Sequence, residues 1–154
     1  MKKVTLLVVA LLIGNAAVTQ ITFEKVITVG ALEKILSVIQ TSDGGYAMVV
    51  LSQTTSPRND LLLVKTDSFG DTAWTKTFYG GDQHTGDRAL VQTSSGGFTF
   101  ICNRNDKANL MHTTATGDSV WEKELSSRNC FSLAPTTGHG YIATGYGTRF
   151  PGSR

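Results

Sequence analysis

The densest group of residues able to ligate a metal or move a proton is Asp82-Gln83-His84-Thr85-Gly86-Asp87. Two carboxylates and an imidazole so close together could contact a metal or a polar ligand. The same glycine-rich, polar run also reads as an ordinary surface connection, and that reading is preferred. Glycosidase-type chemistry needs two carboxylates facing each other across a cleft. The glutamates are Glu24, Glu33, Glu122 and Glu124, and the last two flank Lys123, as on a solvated outer strand. His112 stands where a matching segment has Lys65 and is expected to face outward, and His139 lies between glycines in a turn. Cys102 and Cys130 are 28 residues apart. They could pair in an oxidising compartment or stay as two buried thiols, and spacing leaves both open. There is no CxxC and no Cys/His cluster for zinc, and no Gly-x-Ser-x-Gly, Walker or Rossmann pattern. Asp67-Ser68-Phe69-Gly70-Asp71 is too short and too poor in carboxylates for a calcium loop. Asp67 is expected to bind backbone in the turn before Gly70. No residue is therefore assigned as catalytic, cofactor-binding or metal-binding, no cofactor is expected, and enzymatic activity is not indicated.

Composition narrows the class. At 154 residues, 40% hydrophobic and 17% charged, the chain is too apolar for disorder and too polar for several membrane spans. Met1-Lys2-Lys3, the apolar run Val4–Ile13 and the small residues after it form the pattern of a secretory signal peptide. The apolar run is about half the length of a stable span, which needs about 20 residues. Cleavage is expected after Ala17 or Thr19, so residues 1–19 are assigned to the leader and no membrane span is expected afterwards. No cysteine precedes Cys102 to carry a lipid anchor. Removing Lys2 and Lys3 from the 14 basic residues leaves them equal in number to the 12 acidic ones. A balanced chain does not suggest a nucleic-acid partner, which calls for a concentrated basic face. The expected address is secreted or cell-surface, through the periplasm.

Internal similarity then organises the chain. Ile39-Gln40-Thr41-Ser42-Asp43-Gly44-Gly45-Tyr46 aligns with Val91-Gln92-Thr93-Ser94-Ser95-Gly96-Gly97-Phe98, and with Leu133–Tyr141 at one extra residue. Phe23-Glu24-Lys25-Val26-Ile27 aligns with Trp74-Thr75-Lys76-Thr77-Phe78 and Trp121-Glu122-Lys123-Glu124-Leu125. Asp67–Trp74 aligns with Thr114–Trp121. The period is about 48 residues, and its variation falls in connections.

Each unit reads as four short strands: Ile35–Gln40, Tyr46–Gln53, Leu61–Thr66 and Trp74–Tyr79, then Arg88–Gln92, Phe98–Asn103, Asn109–Thr114 and Trp121–Leu125. Tyr46–Leu51 and Phe98–Cys102 are apolar on both faces apart from Thr99, whereas a strand with one wet face alternates. Burial on both faces implies sheets stacked on either side. Tyr46, Phe98 and Tyr141, and likewise Trp74 and Trp121, read as packing residues. The fold class is thus all-β, and four-stranded antiparallel units of this length point to β-propeller blades. A β-sandwich would not need a repeat, and a β-solenoid has shorter coils. Residues 20–148 hold one outer strand (Phe23–Thr28), two complete blades and half of a third. That makes eleven strands, an incomplete propeller. Residues 149–154 read as a truncated C-terminal end, so further blades are expected as partners.

These motifs resemble a family of secreted bacterial repeat proteins known chiefly from the Bacteroidota. Its units run W-x-K-x-[FY]-G-G, I-x-Q-T-x-D-G-G-Y and D-x-x-L-x-K-x-D-x-x-G-x-x-x-W. Here they stand as Trp74–Gly81, Ile39–Tyr46 and Asp60–Trp74, with Leu63, Lys65, Asp67 and Gly70 in place; the second unit has His112 for the Lys and Thr114 for the Asp. The resemblance covers residues 21–148. It implies a secreted or cell-surface β-propeller, often with a type IX secretion sorting domain. The pattern is also similar to quinoprotein-type repeats, in which a Gly-x-x-x-Trp docks neighbouring blades, but no quinone-pocket residues are matched.

Two functions follow. One is a non-catalytic module that binds a protein or polysaccharide through loops on one rim. The other is a fragment of a secreted hydrolase or quinoprotein whose active residues lie in other blades. The first is preferred. N-terminal analysis of the exported chain should find Val18 or Gln20 first; a chain still beginning at Met1 would contradict the leader assignment.

Overall fold

A computed structural model of the chain describes residues 24–27, 32–53, 59–81, 89–104, 107–138 and 140–146. The leader and the Asp82/His84/Asp87 cluster lie outside the described residues, as does His139. The described chain forms ten strands: β1 (Leu32–Gln40), β2 (Tyr46–Gln53), β3 (Asn59–Thr66), β4 (Thr72–Gly81), β5 (Leu90–Gln92), β6 (Phe98–Arg104), β7 (Lys107–Thr113), β8 (Ser119–Glu124), β9 (Asn129–Pro135) and β10 (Tyr141–Tyr146). They make two four-stranded sheets, β1-β2-β3-β4 and β5-β6-β7-β8, and a two-stranded sheet of β9 and β10. Every pairing is antiparallel between sequence neighbours. The chain is all-β, in antiparallel four-stranded sheets. The expected outer strand at Phe23–Thr28 is not a strand over its described part, Glu24–Ile27. A strand exists only through its ladder, and no described strand pairs with this segment.

The tight turns explain the glycines. Gly44 and Gly96 have φ of 82° and 83°, which an L side chain rarely adopts. Gly45 and Gly97 are needed for space: a Cβ on either would lie 2.2 Å from the carbonyl oxygen of Thr66 or Thr113. Between β3 and β4, Asp67 Oδ1 accepts from the backbone N–H of Phe69 and of Asp71, each at 2.9 Å. That is the Asx turn expected before Gly70. Thr114 Oγ1 accepts from the N–H of Asp118 in the equivalent turn, so a hydroxyl replaces the carboxylate there. The β3–β4 and β7–β8 ladders also slip at matching places, Lys65/Thr66 and His112/Thr113.

The sheets stack face to face. Ala47–Ser52 and Phe98–Asn103 are buried without a break. One core joins Leu36, Val49, Leu61 and Leu63 of the first sheet to Leu90, Phe98, Phe100 and Met111 of the second. Burying Phe98 or Phe100 contributes about 1.5–3 kcal/mol. A second core joins Ile101 and Leu110 to Cys130 and Leu133 of the two-stranded sheet. The far face of the first sheet (Met48, Val50, Leu62, Val64) meets Ile27. Cys102 lies in the first core, and the adjacent Asn103 bonds the backbone of Cys130 on the opposite face of β6. Alternation along β6 therefore puts the two thiols on opposite sides of one sheet, and they are not joined. Gly97→Ala should lower unfolding free energy by about 1–3 kcal/mol through the clash with Thr113, read from denaturant midpoints.

Candidate functional site

The residues with the richest chemistry are gathered in two kinds of lock, one within a sheet and one between sheets. The first is built from the Asp-Gly-Gly turn and the end of β3. Lys65 is buried, with 7% exposure. Its Nζ donates to both carboxylate oxygens of Asp43, at 2.8 and 3.1 Å, and to the Thr66 carbonyl at 2.8 Å. A Cβ on Gly45 would come within 2.7 Å of that ammonium, so the second glycine opens the way for the pair. Asp43 also accepts from Thr41 Oγ1 and from the N–H of Gly45. The Lys65 hydrogen bonds, then Thr41 and Gly45, hold the Asp43 carboxyl well below the usual carboxylate range. Lys65 is covered while the Asp43 side chain is largely exposed, so the pair neutralises a buried ammonium from the solvent side.

The second sheet replaces both members at once. Ser95 stands for Asp43 and His112 for Lys65. His112 does not face outward as expected. Its Nδ1 is 2.9 Å from Thr99 Oγ1, which is 2.8 Å from the Tyr141 hydroxyl of the two-stranded sheet. The imidazole also stacks on Trp121, with centroids 5.0 Å apart and 20° between planes. With no carboxylate at position 95, an ammonium at 112 would lack the partner that Lys65 has; an imidazole uses a neutral hydroxyl instead.

The second lock holds the first sheet to the second. Lys76 on β4 donates to Asp118 Oδ1 at 2.8 Å. Gly117 beside it has φ of 81°, and a Cβ there would lie 2.7 Å from both the Trp74 ring and the Lys76 stem. Trp74 meets Phe98 edge-on at 6.0 Å, and Phe78 meets Phe100 at 5.1 Å. The Lys76 bond, then Thr116 Oγ1, lowers the Asp118 carboxyl below its ordinary range. Mid-strand Lys76 is thus a tie to the neighbouring sheet rather than only a guard against edge pairing. The same arrangement occurs one step earlier, where Lys25 donates to Asp71 beside Gly70.

Between β4 and β8 an open cleft of about 330 Å³ has Lys76, Asp118 and Glu122 on its walls and Phe78, Cys102 and Met111 in its apolar part. Its walls mix charged and apolar side chains, and Lys76 and Asp118 there are paired with each other. Among the described residues no three of His, Cys, Asp and Glu gather as a metal site. Sequence reading missed the Lys65–Asp43 and Lys76–Asp118 pairs, although the recurrence of Lys25/Asp71 and Lys76/Asp118 carried a signal. The cleft had none, because its lining comes from two sheets.

No protein-family model and no curated protein matches the chain. Among solved structures it is similar to a protein of unknown function from Bacteroides caccae. The TM-score is 0.56 at 12% identity, over 76% of this chain and 40% of that one. This chain therefore spans less than half of that neighbour's length, and the likeness is one of fold.

Asp43→Ser should destabilise, because it leaves the Lys65 ammonium covered and unmatched. Lys65→His in the same chain should recover part of the loss, reproducing the Ser95/His112 combination, with a coupling of about 1 kcal/mol in a double-mutant cycle. Asp43 and Asp118 both titrate lower folded than unfolded. Their stabilisation is therefore present above the ordinary carboxylate pKa and falls away as pH drops below it. Unfolding curves from pH 7 to pH 2 should show the Asp43→Ser deficit shrinking toward the acid end.

Proposed function

We propose that this chain is part of a secreted or cell-surface β-propeller of the Bacteroidota repeat type, acting as a non-catalytic module that binds a protein or polysaccharide. The observation that carries the reading is where its charged and aromatic residues are engaged. Asp43, Lys65 and Asp67 hold turns, and Lys76, Asp118 and Trp74 hold sheet to sheet. Groups in such roles are held as structural ties, with their charge matched in the ground state.

The stacking supports radial blades. β1 lies against β5 and β5 against β9, so the first strands of successive sheets are neighbours, while the cleft opens between the outer strands β4 and β8. Sheets stacked face to face in chain order, with β4 also lying against β6, are compatible with a ring of blades. The outermost faces carry exposed Val26, Val38, Phe131 and Ile142, as incomplete stacking would leave them. Recognition is assigned to the open cleft between β4 and β8, where Glu122 supplies a polar contact beside the Lys76–Asp118 tie and Phe78 and Met111 an apolar wall.

The test is to challenge the exported protein with a panel of immobilised polysaccharides and to assay the retained sugars for cleavage. Retention without release of reducing ends is expected, with Glu122→Ala reducing it several-fold. Liberated oligosaccharide, abolished by the same substitution, would replace the binding module with a hydrolase.

A further inference from the structure

Among the described residues, Ser52 carries the one buried side-chain polar atom without a hydrogen-bond partner. The residue is wholly buried. An unpartnered buried hydroxyl costs free energy, so its surroundings should hold the reason for it. Ser52 lies on β2, with Glu33 of β1 directly opposite on one side and Asp60 of β3 on the other. Residues opposite each other in a ladder point to the same face, with Cβ atoms about 4.5–5.5 Å apart. Alternation identifies that face. Met48 and Val50 share the phase of Ser52 along β2, Leu62 and Val64 share that of Asp60 along β3, and all four lie in the core that meets Ile27. Glu33, Ser52 and Asp60 therefore make one row across three strands, a hydroxyl between two carboxylates. Ser52 is covered, Asp60 is half-buried and Glu33 is exposed, so the row can be reached from solvent. The second sheet has basic residues at the same place. Arg104 stands for Ser52 and Lys107 for Asp60, and those two are opposite each other in the β6–β7 ladder as Ser52 and Asp60 are in the β2–β3 ladder. Lys107 there donates to Glu124 of the neighbouring strand.

We propose that Glu33, Ser52 and Asp60 bind a hard divalent cation, calcium by preference. All three supply oxygen, the donor that such ions take. Calcium accepts irregular sets of about six to eight oxygens, whereas magnesium demands a near-ideal octahedron, so a row of donors across a sheet suits calcium. Water completes the set on the solvent side. Glu33 and Asp60 each have another contact in the structure. A carboxylate offers about four acceptor positions, so such a contact leaves oxygen for a metal. The Ser52 hydroxyl coordinates through a lone pair that no protein group uses. Where the second sheet carries positive charge on its own side chains, the first takes it from solution. The cation joins β1, β2 and β3 at the end of the sheet opposite the Lys65–Asp43 lock. This inference is independent of what the cleft between β4 and β8 binds.

The experiment follows the melting temperature of the full exported chain, stripped with EDTA and then titrated with calcium chloride. A saturable rise of at least about 3 °C is expected by about 5 mM calcium, with a smaller rise in magnesium chloride. Asp60→Asn should abolish the rise. Glu33→Gln, at an exposed position, should raise the half-saturating calcium concentration several-fold, and it serves should the Asp60 variant fail to fold. Glu24→Gln, an exposed glutamate outside the row, should leave the rise unchanged. Ser52→Ala gives a second signature. In EDTA it should melt no lower than the parent, because it removes a hydroxyl without a partner, yet it should lose most of the calcium response. No rise with calcium overturns the proposal. So does a rise that survives both Asp60→Asn and Glu33→Gln, which would place the ion elsewhere on the chain. A lower melting temperature for Ser52→Ala in EDTA would show the hydroxyl to be partnered already, and overturns it as well.

Discussion

β2 and β6 bury residues on both of their faces, so neither four-stranded sheet is stable with water against one side. Each must be covered twice. The first sheet is covered by the second and by the segment that carries Ile27; the second is covered by the first and by β9 and β10. Other features follow from this demand. Sheets pressed face to face need turns that stay narrow, hence Gly45 and Gly97 against backbone carbonyls. They also need a means of setting one sheet's position on the next, since apolar contact alone is non-directional.

Direction comes from charge and from glycine. The Lys76–Asp118 pair and the Trp74–Gly117 contact converge on one turn, so the neighbouring sheet is fixed both electrostatically and by shape. The pair is half exposed and is weak as an isolated surface ion pair. Its value lies in register: a glycine turn admits the tryptophan at one place only. Within the first sheet, Lys65 and Asp43 do similar service between strand and turn, whereas at the equivalent place His112 and Thr99 of the second sheet join Tyr141 of the two-stranded sheet. The joint replacement of Asp43 by Ser95 and of Lys65 by His112 shows one position accommodating two chemistries, provided both partners change.

The strands themselves were legible because their signals are local. Alternating or continuous apolar runs mark Tyr46–Gln53 and Phe98–Arg104, and Gly-Gly or x-Gly-Asp marks the turns between them. The Asp67 turn was legible for the same reason. Glu24–Ile27 was not: it has the composition of an outer strand, but a strand is defined by a partner, and no local signal reports whether one is present. The setting of His112 has no local signal, because its surroundings, Thr99, Trp121 and Tyr141, come from three other strands.

The residues alone thus establish an all-β chain with recurring hairpins and glycine turns, because backbone conformation and side-chain alternation are decided within a few neighbours. Tertiary structure decides which charges meet. Lys65 with Asp43, Lys76 with Asp118, and the separation of Cys102 from Cys130 by the thickness of one sheet depend on how strands are laid beside and above each other. The cleft between β4 and β8 is of the same kind. It is enclosed by residues far apart in the chain, and only the stacking of one sheet on another brings its walls together.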